Sequence, residues 1–91
     1  MALYEFDGKR PQVPSNSFVH PNAVLIGDVK IGDECLIAPC VYIRADFGPV
    51  VIGSRSNVQD TAVIHVFPDS IVTIGEDVTI AHGVMLHDAQ I

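Results

Sequence analysis

An aliphatic residue recurs at every sixth position along most of this chain. Val13, Val19, Leu25, Ile31, Ile37 and Ile43 set the register. It resumes after a nine-residue step at Ile52, Val58 and Ile64, and after a ten-residue step at Ile74, Ile80 and Leu86. The position four later is mostly small or β-branched, as at Ser17, Ala23, Val29, Cys35, Val41 and Ser56. A six-residue apolar period is the signature of a parallel β-helix built from hexapeptides. Each hexad predicts one short strand and a corner, and three hexads predict one triangular coil. The aliphatic side chain points inward, and coils stack at the strand spacing of about 4.8 Å.

The twelve hexads predict an all-β fold of about four coils. Positions 13, 31, 52 and 74 share one face, 19, 37, 58 and 80 the second, and 25, 43, 64 and 86 the third. The longer steps are insertions of three and four residues, at Phe47-Gly48-Pro49 and Phe67-Pro68-Asp69-Ser70, expected to bulge as short loops at one corner. Residues 1–12 read as a lead-in strand and turn, with Asp7-Gly8-Lys9-Arg10-Pro11 as the turn. Residues 13–91 read as the β-helix domain.

Composition agrees. The chain holds 13 Val and 10 Ile against 4 Leu, and β-branched residues suit strands. A net charge of −6 with only five Lys and Arg argues against nucleic acid. No apolar run approaches the length of about 18 residues that a membrane span needs. No basic amphipathic stretch fits a membrane surface either. The first residues lack the basic flank and apolar core of a signal peptide, so a cytoplasmic location is expected. Cys35 and Cys40 are too few for a disulfide framework and read as a small core residue and a corner residue.

The register turns sequence separation into spatial position. The residue after the aliphatic one is Arg44, His65 and His87 in successive hexads of the third face, so these three should stack as a column. The equivalent column of the first face is Gly32, Gly53 and Gly75. On the second face Asp60 and His82 should stack, with Gln59 beside Asp60. Two imidazoles one rung apart can both reach a metal ion, at about 2.0–2.1 Å for zinc. His82 lies across a corner, up to roughly 16 Å of extended chain from His87. Closing three ligands within one chain looks strained, whereas a neighbouring chain packed around a threefold axis can supply His82. Three histidines with an open fourth position make a catalytic zinc site. His20 reads as a surface residue.

At Arg44-Ala45-Asp46, Ser56-Asn57-Val58-Gln59-Asp60, Ile64-His65 and Ala81-His82-Gly83-Val84-Met85-Leu86-His87 the sequence resembles the γ-class carbonic anhydrases. Phe18-Val19-His20-Pro21 and Ala23-Val24-Leu25-Ile26-Gly27-Asp28-Val29 bring it nearest the branch of phenylacetate-degradation and carnitine-operon accessory proteins. The resemblance implies a left-handed β-helix, assembled as a homotrimer or a higher homo-oligomer, with zinc at the subunit interfaces. Fe2+ or Co2+ are the other metals such a site takes. His65 and His87 would come from one subunit and His82 from its neighbour. Arg44 and Asp46 would form the interface pair, with Asp60 bridging to the same arginine. Gln59 would orient a zinc-bound hydroxide that attacks CO2, and Asn57 would lie near the substrate.

That family runs for several more coils and ends in a C-terminal helix, so the chain reads as a shortened form whose last coil another chain covers. The short segment Phe67–Ser70 lacks the long acidic loop that carries a proton-shuttling glutamate in the family, and slow CO2 hydration is expected. Asp88-Ala89 stands where a Gly-Cys pair is common. Two alternatives accompany the carbonic anhydrase expectation: a metal-dependent acyl-CoA thioesterase of aromatic catabolism, and a catalytically weak trimeric scaffold. An acyltransferase is disfavoured, since it needs no three-histidine constellation.

Overall fold

The computed structural model describes residues 2–91, which form a parallel β-solenoid of about four coils with no helix among them. Ten strands are present: β1 Ala2–Tyr4, β2 Phe18–Val19, β3 Val24–Ile31, β4 Leu36–Ile37, β5 Tyr42–Ile52, β6 Asn57–Val58, β7 Val63–His65, β8 Val72–Ile74, β9 Thr79–Ile80 and β10 Met85–His87. The second face is the four-stranded sheet β2-β4-β6-β9. The third face is β1-β3-β5-β7-β10. The long strands β3 and β5 run on around a corner, so that β8 pairs with the far end of β5 on the first face.

The hexad register holds rung by rung. Leu25 lies opposite Ile43, Ile43 opposite Ile64, and Ile64 opposite Leu86. Val19, Ile37, Val58 and Ile80 align in the same way, as do Ile31, Ile52 and Ile74. Ten of the twelve aliphatic positions are buried; Val13 and Leu86, at the two ends, are partly buried against the same core. Each such burial contributes about 1.5–3 kcal/mol, which is why six-residue spacing alone can select this topology.

Two corners are uniform. Glu34, Arg55 and Asp77, each three residues after an inward aliphatic, have φ of 54°, 61° and 57° between the first and second faces. Cys40, Thr61 and Gly83 have φ of 61°, 64° and 68° between the second and third. One left-handed residue turns the chain from one face to the next at fixed length. Cys40 is thus the exposed corner residue the repeat predicts, and Cys35 the buried one.

At the first of these corners side chains tie coil to coil. Ser17 Oγ donates to the Gly32 carbonyl at 2.6 Å and accepts from Cys35 N at 2.9 Å. Ser56 Oγ does the same two coils on, with the Gly75 carbonyl at 2.6 Å and Val78 N at 3.0 Å. The glycine column beside it is steric in origin. A Cβ on Gly53 would lie 2.6 Å from the Gly75 carbonyl carbon, and one on Gly32 would lie 2.7 Å from Ser54 N.

The third corner is irregular and takes both insertions, as the step lengths predict. The first of them departs from expectation, because it is not a loop. Strand β5 continues through Phe47-Gly48-Pro49 as a bulge, with Gly27 opposite Ala45 and Val29 opposite Val50. Gly27 has a φ of 81°, and a Cβ there would strike the Ala45 carbonyl, so β3 can follow the bulge only with glycine at this position.

The lead-in is built more firmly than its sequence suggests. Strand β1 pairs in parallel with β3, Leu3 opposite Leu25, and adds a rung to the third face. The expected turn follows: Phe6 and Lys9 bridge antiparallel across Asp7-Gly8, whose φ values are 52° and 78°. Two successive positive φ values are what an Asp-Gly hairpin turn supplies.

Candidate metal centre

The predicted column exists. Arg44 on β5 lies opposite His65 on β7, and His65 opposite His87 on β10. The parallel ladder points all three side chains away from the core, because each follows an inward aliphatic residue. The His65 and His87 rings meet edge-on with centroids 5.1 Å apart. His65 is mostly enclosed, its side chain 15% exposed.

Asp46 anchors this group. Arg44 Nη2 donates to Asp46 Oδ2 at 3.1 Å. Asp46 Oδ1 accepts from Phe47 N at 3.0 Å and meets His65 Nε2 at 3.1 Å. Burial alone pushes the Asp46 carboxyl up; the hydrogen bonds from Arg44 and His65, with the Arg44 charge, outweigh it and hold the carboxyl below its ordinary range. An ionised carboxylate only accepts, so the facing His65 Nε2 carries a proton and Nδ1 of a neutral ring keeps the lone pair. A carboxylate behind an imidazole is the usual support for a metal-ligating histidine.

The remaining candidates gather elsewhere. Asn57 Nδ2 donates to Thr79 Oγ1 at 3.0 Å, and Gln59 Nε2 donates to Asn57 Oδ1 at 3.2 Å. Asp60 Oδ1 lies 3.6 Å from His82 Nδ1, with His82 71% exposed. The eight residues therefore fall into two sets. Arg44, Asp46, His65 and His87 lie on the third face, whereas Asn57, Gln59, Asp60 and His82 lie on the second face and its corner. Within one chain Asp60 meets His82, and the ion-pair partner of Arg44 is Asp46.

Among the described residues no three His, Cys, Asp or Glu side chains come close enough to hold a metal ion. The donor set fits a metal in part: a stacked imidazole pair backed by a carboxylate, and a third imidazole directed outward. His20 hydrogen-bonds Asn22 at 2.9 Å and takes no part. A cleft of about 140 Å³ lined by Phe6, Lys9, Asp28, Asp46 and Phe47 adjoins the group, but no histidine lines it.

Sequence reasoning missed the aromatic surround. Phe67 packs against His87 with centroids 4.6 Å apart and 39° between planes, and Phe47 lies 6.0 Å from His65. Asp88 Oδ1 accepts from Phe67 N at 2.7 Å. The available signal was that each insertion begins with phenylalanine.

Comparison with known proteins agrees with this architecture. Residues 10–45 match the family described as Bacterial transferase hexapeptide (six repeats). The chain is 40% identical over 87 residues to the carnitine operon protein CaiE of Escherichia coli O157:H7, covering 96% of this chain and 44% of that relative. The chain is similar to hexapeptide-repeat proteins, CaiE among them. It spans less than half the length of the curated relatives it matches. A hexapeptide transferase family protein from Anaplasma phagocytophilum superposes with a TM-score of 0.93 at 35% identity, over 98% of this chain and 52% of that one. A structure from Bacillus cereus gives the same TM-score, 0.93, at 36% identity, over 96% of this chain and 51% of that one. These likenesses support the left-handed hexapeptide β-helix. No helix among the described residues is long and apolar enough to cross a membrane.

Proposed function

We propose that the chain carries two half-sites which copies of it join into a zinc centre of the γ-carbonic anhydrase type. The observation that carries this reading is the separation of the histidines. His65 and His87 stack at 5.1 Å on one face, while His82 stands exposed at the adjoining corner. Three identical chains around a threefold axis would bring each His82 to a neighbour's pair. Zn2+ is the expected ion, with Fe2+ or Co2+ as the other candidates. A metal held by three histidines supplies a nucleophile at neutral pH by lowering the pKa of its water to about 7.

The chain's own groups have definite tasks in this reading. His65 and His87 bind from one side and His82 from the other. Asp46 fixes the His65 tautomer, and Arg44 keeps Asp46 ionised. Asp60 lies 3.6 Å from His82 Nδ1, a looser contact than the 3.1 Å hydrogen bond between Asp46 and His65. Gln59 and Asn57, hydrogen-bonded to each other, travel with His82 and meet the substrate from that side. The reaction is reversible hydration of CO2 to bicarbonate. The second reading, hydrolysis of an acyl-CoA thioester, is favoured by Phe47 and Phe67, both about half exposed, which offer an apolar wall to an acyl chain.

Native mass spectrometry with metal quantification tests the site, and CO2 hydration and acyl-CoA hydrolysis measured side by side test the reaction. His82→Ala and His87→Ala should each lose the metal at least tenfold. Mixing the two variants should restore part of it, because mixed oligomers rebuild some intact sites. Full metal content in His82→Ala overturns the shared centre. A metallated oligomer with neither activity leaves the scaffold reading.

A further inference from the structure

The two histidines of the stacked pair are held by different means. His65 has Asp46 behind it, at hydrogen-bond distance from Nε2. The His87 ring has no hydrogen-bond partner among the described residues; it meets the His65 ring edge-on at 5.1 Å and packs against the Phe67 ring at 4.6 Å with 39° between planes. Metal-ligating histidines ordinarily depend on an outer partner that fixes the ring. At His87 an aromatic ring stands in that place.

The four-residue insertion explains how Phe67 gets there. It is the third residue after Ile64, the offset at which the two regular corners put their left-handed residue. Here the left-handed φ falls on Asp69 instead, at 61°, so the chain has not yet turned the corner at Phe67. Asp88, itself at a φ of 50°, clasps the Phe67 amide at 2.7 Å from the following coil. The contact therefore crosses from the β7 segment to the β10 segment and ties the ring to the coil that carries His87. One coil earlier Phe47 stands differently: its amide is capped by its own neighbour Asp46 at 3.0 Å, with no clasp from the next coil among the described residues, and its ring lies 6.0 Å from His65.

We infer that Phe67, clasped by Asp88, is the positioning residue for His87, fixing by ring-to-ring packing the orientation that a hydrogen bond fixes at His65. The inference rests on the metal-site reading for its purpose, but its geometry stands in the metal-free protein. A ring packed at 4.6 Å and tilted by 39° restricts rotation about the His87 side chain, and its ring current should shift the imidazole protons. His87 would thus be held in place before any metal is bound. Fixing a group before binding lowers the ordering cost of binding.

Two measurements on the whole chain test this. In the metal-free protein, the His87 imidazole resonances should be shifted by NMR, and Phe67→Leu should return them toward the random-coil position while leaving those of His82 in place. Unshifted His87 resonances in the parent protein overturn the inference. The second measurement is zinc affinity by chelator competition. Phe67→Leu should weaken binding about tenfold, the lower end of the range for loss of an outer partner. Phe67→Tyr should restore it, and Asp88→Ala should fall between. Phe67→Leu with parental affinity, in an oligomer that His87→Ala does strip of zinc, overturns the positioning role. If His65→Ala and His87→Ala leave zinc content unchanged, the metal-site reading fails instead, and the NMR arm still decides whether Phe67 orders His87.

Discussion

One slot of the repeat, the residue just after the inward aliphatic, is used in opposite ways on two faces. On the first face it holds Gly32, Gly53 and Gly75; on the third it holds Arg44, His65 and His87. The strands account for the difference. Strand β8 stops at Ile74 and β5 at Ile52, so the glycines start a tight corner where coils meet backbone to backbone. Strands β7 and β10 include the histidine, so its side chain projects freely from a flat ladder. A repeat this regular fixes where each slot lies. Whether the slot serves packing or chemistry depends on whether the chain turns at it or one residue later.

The glycine column is the more sensitive of the two to substitution. Gly53→Ala should destabilise the protein by about 3 kcal/mol in denaturant unfolding, the upper part of the ordinary range for overpacking, because the new methyl meets backbone that cannot swing aside. His65→Ala, in the matching slot of the third face, should cost far less stability while abolishing metal retention. Equal costs would mean that the two columns do not differ in kind. Next in size is Ser56→Ala. It removes a buried hydroxyl that serves the Gly75 carbonyl and Val78 N together, for a cost of about 2 kcal/mol, since both partners are left unsatisfied. Calorimetry should show a lowered Tm, and an unchanged Tm would remove the serine ladder from the account of coil stacking.

The smallest effect concerns acid. The hydrogen bond from Arg55, outweighing a slight desolvation, holds the Asp77 carboxyl below its ordinary value, with the Arg55 charge acting the same way. A carboxylate lowered in the folded state adds stability that is fully present above its unfolded pKa, about 3.9. That stability is lost as pH falls through the lower folded value. Asp77→Asn should therefore flatten the fall in Tm below about pH 4, and salt should shrink the difference, since the pair is exposed.

Most of the architecture was legible because one strong periodic signal carried it. Every aliphatic from Val19 to Ile80 in the register is buried where it was expected, and the His65–His87 and Arg44–His65 rungs follow from it. Periodicity has nothing to say where it is interrupted. Leu3 lies ten residues before Val13, and the intervening Asp-Gly turn hid its rung opposite Leu25. Phe47-Gly48-Pro49 looked like a loop by composition, but pairing with β3 across Gly27 keeps it extended. The Asp88–Phe67 bond joins residues 21 apart through an insertion, where counting loses its meaning. The grouping of site residues into two sets was visible as a count of faces. The aromatic packing around the histidines was not, because it depends on side-chain reach rather than register.

The fixed left-handed residues at Glu34, Arg55 and Asp77 and at Cys40, Thr61 and Gly83 have a consequence for how such a chain can change over generations. An extra residue at either of those corners would rotate everything downstream by one slot and turn the interior outward. The third corner has already absorbed three residues after Asp46 and four after Val66 without disturbing a single inward position. Novelty in length is thus confined to one edge of the prism, and that edge borders the histidine column. Lengthening or shortening these segments changes the surroundings of the histidine column, while the body that holds the histidines in line stays the same.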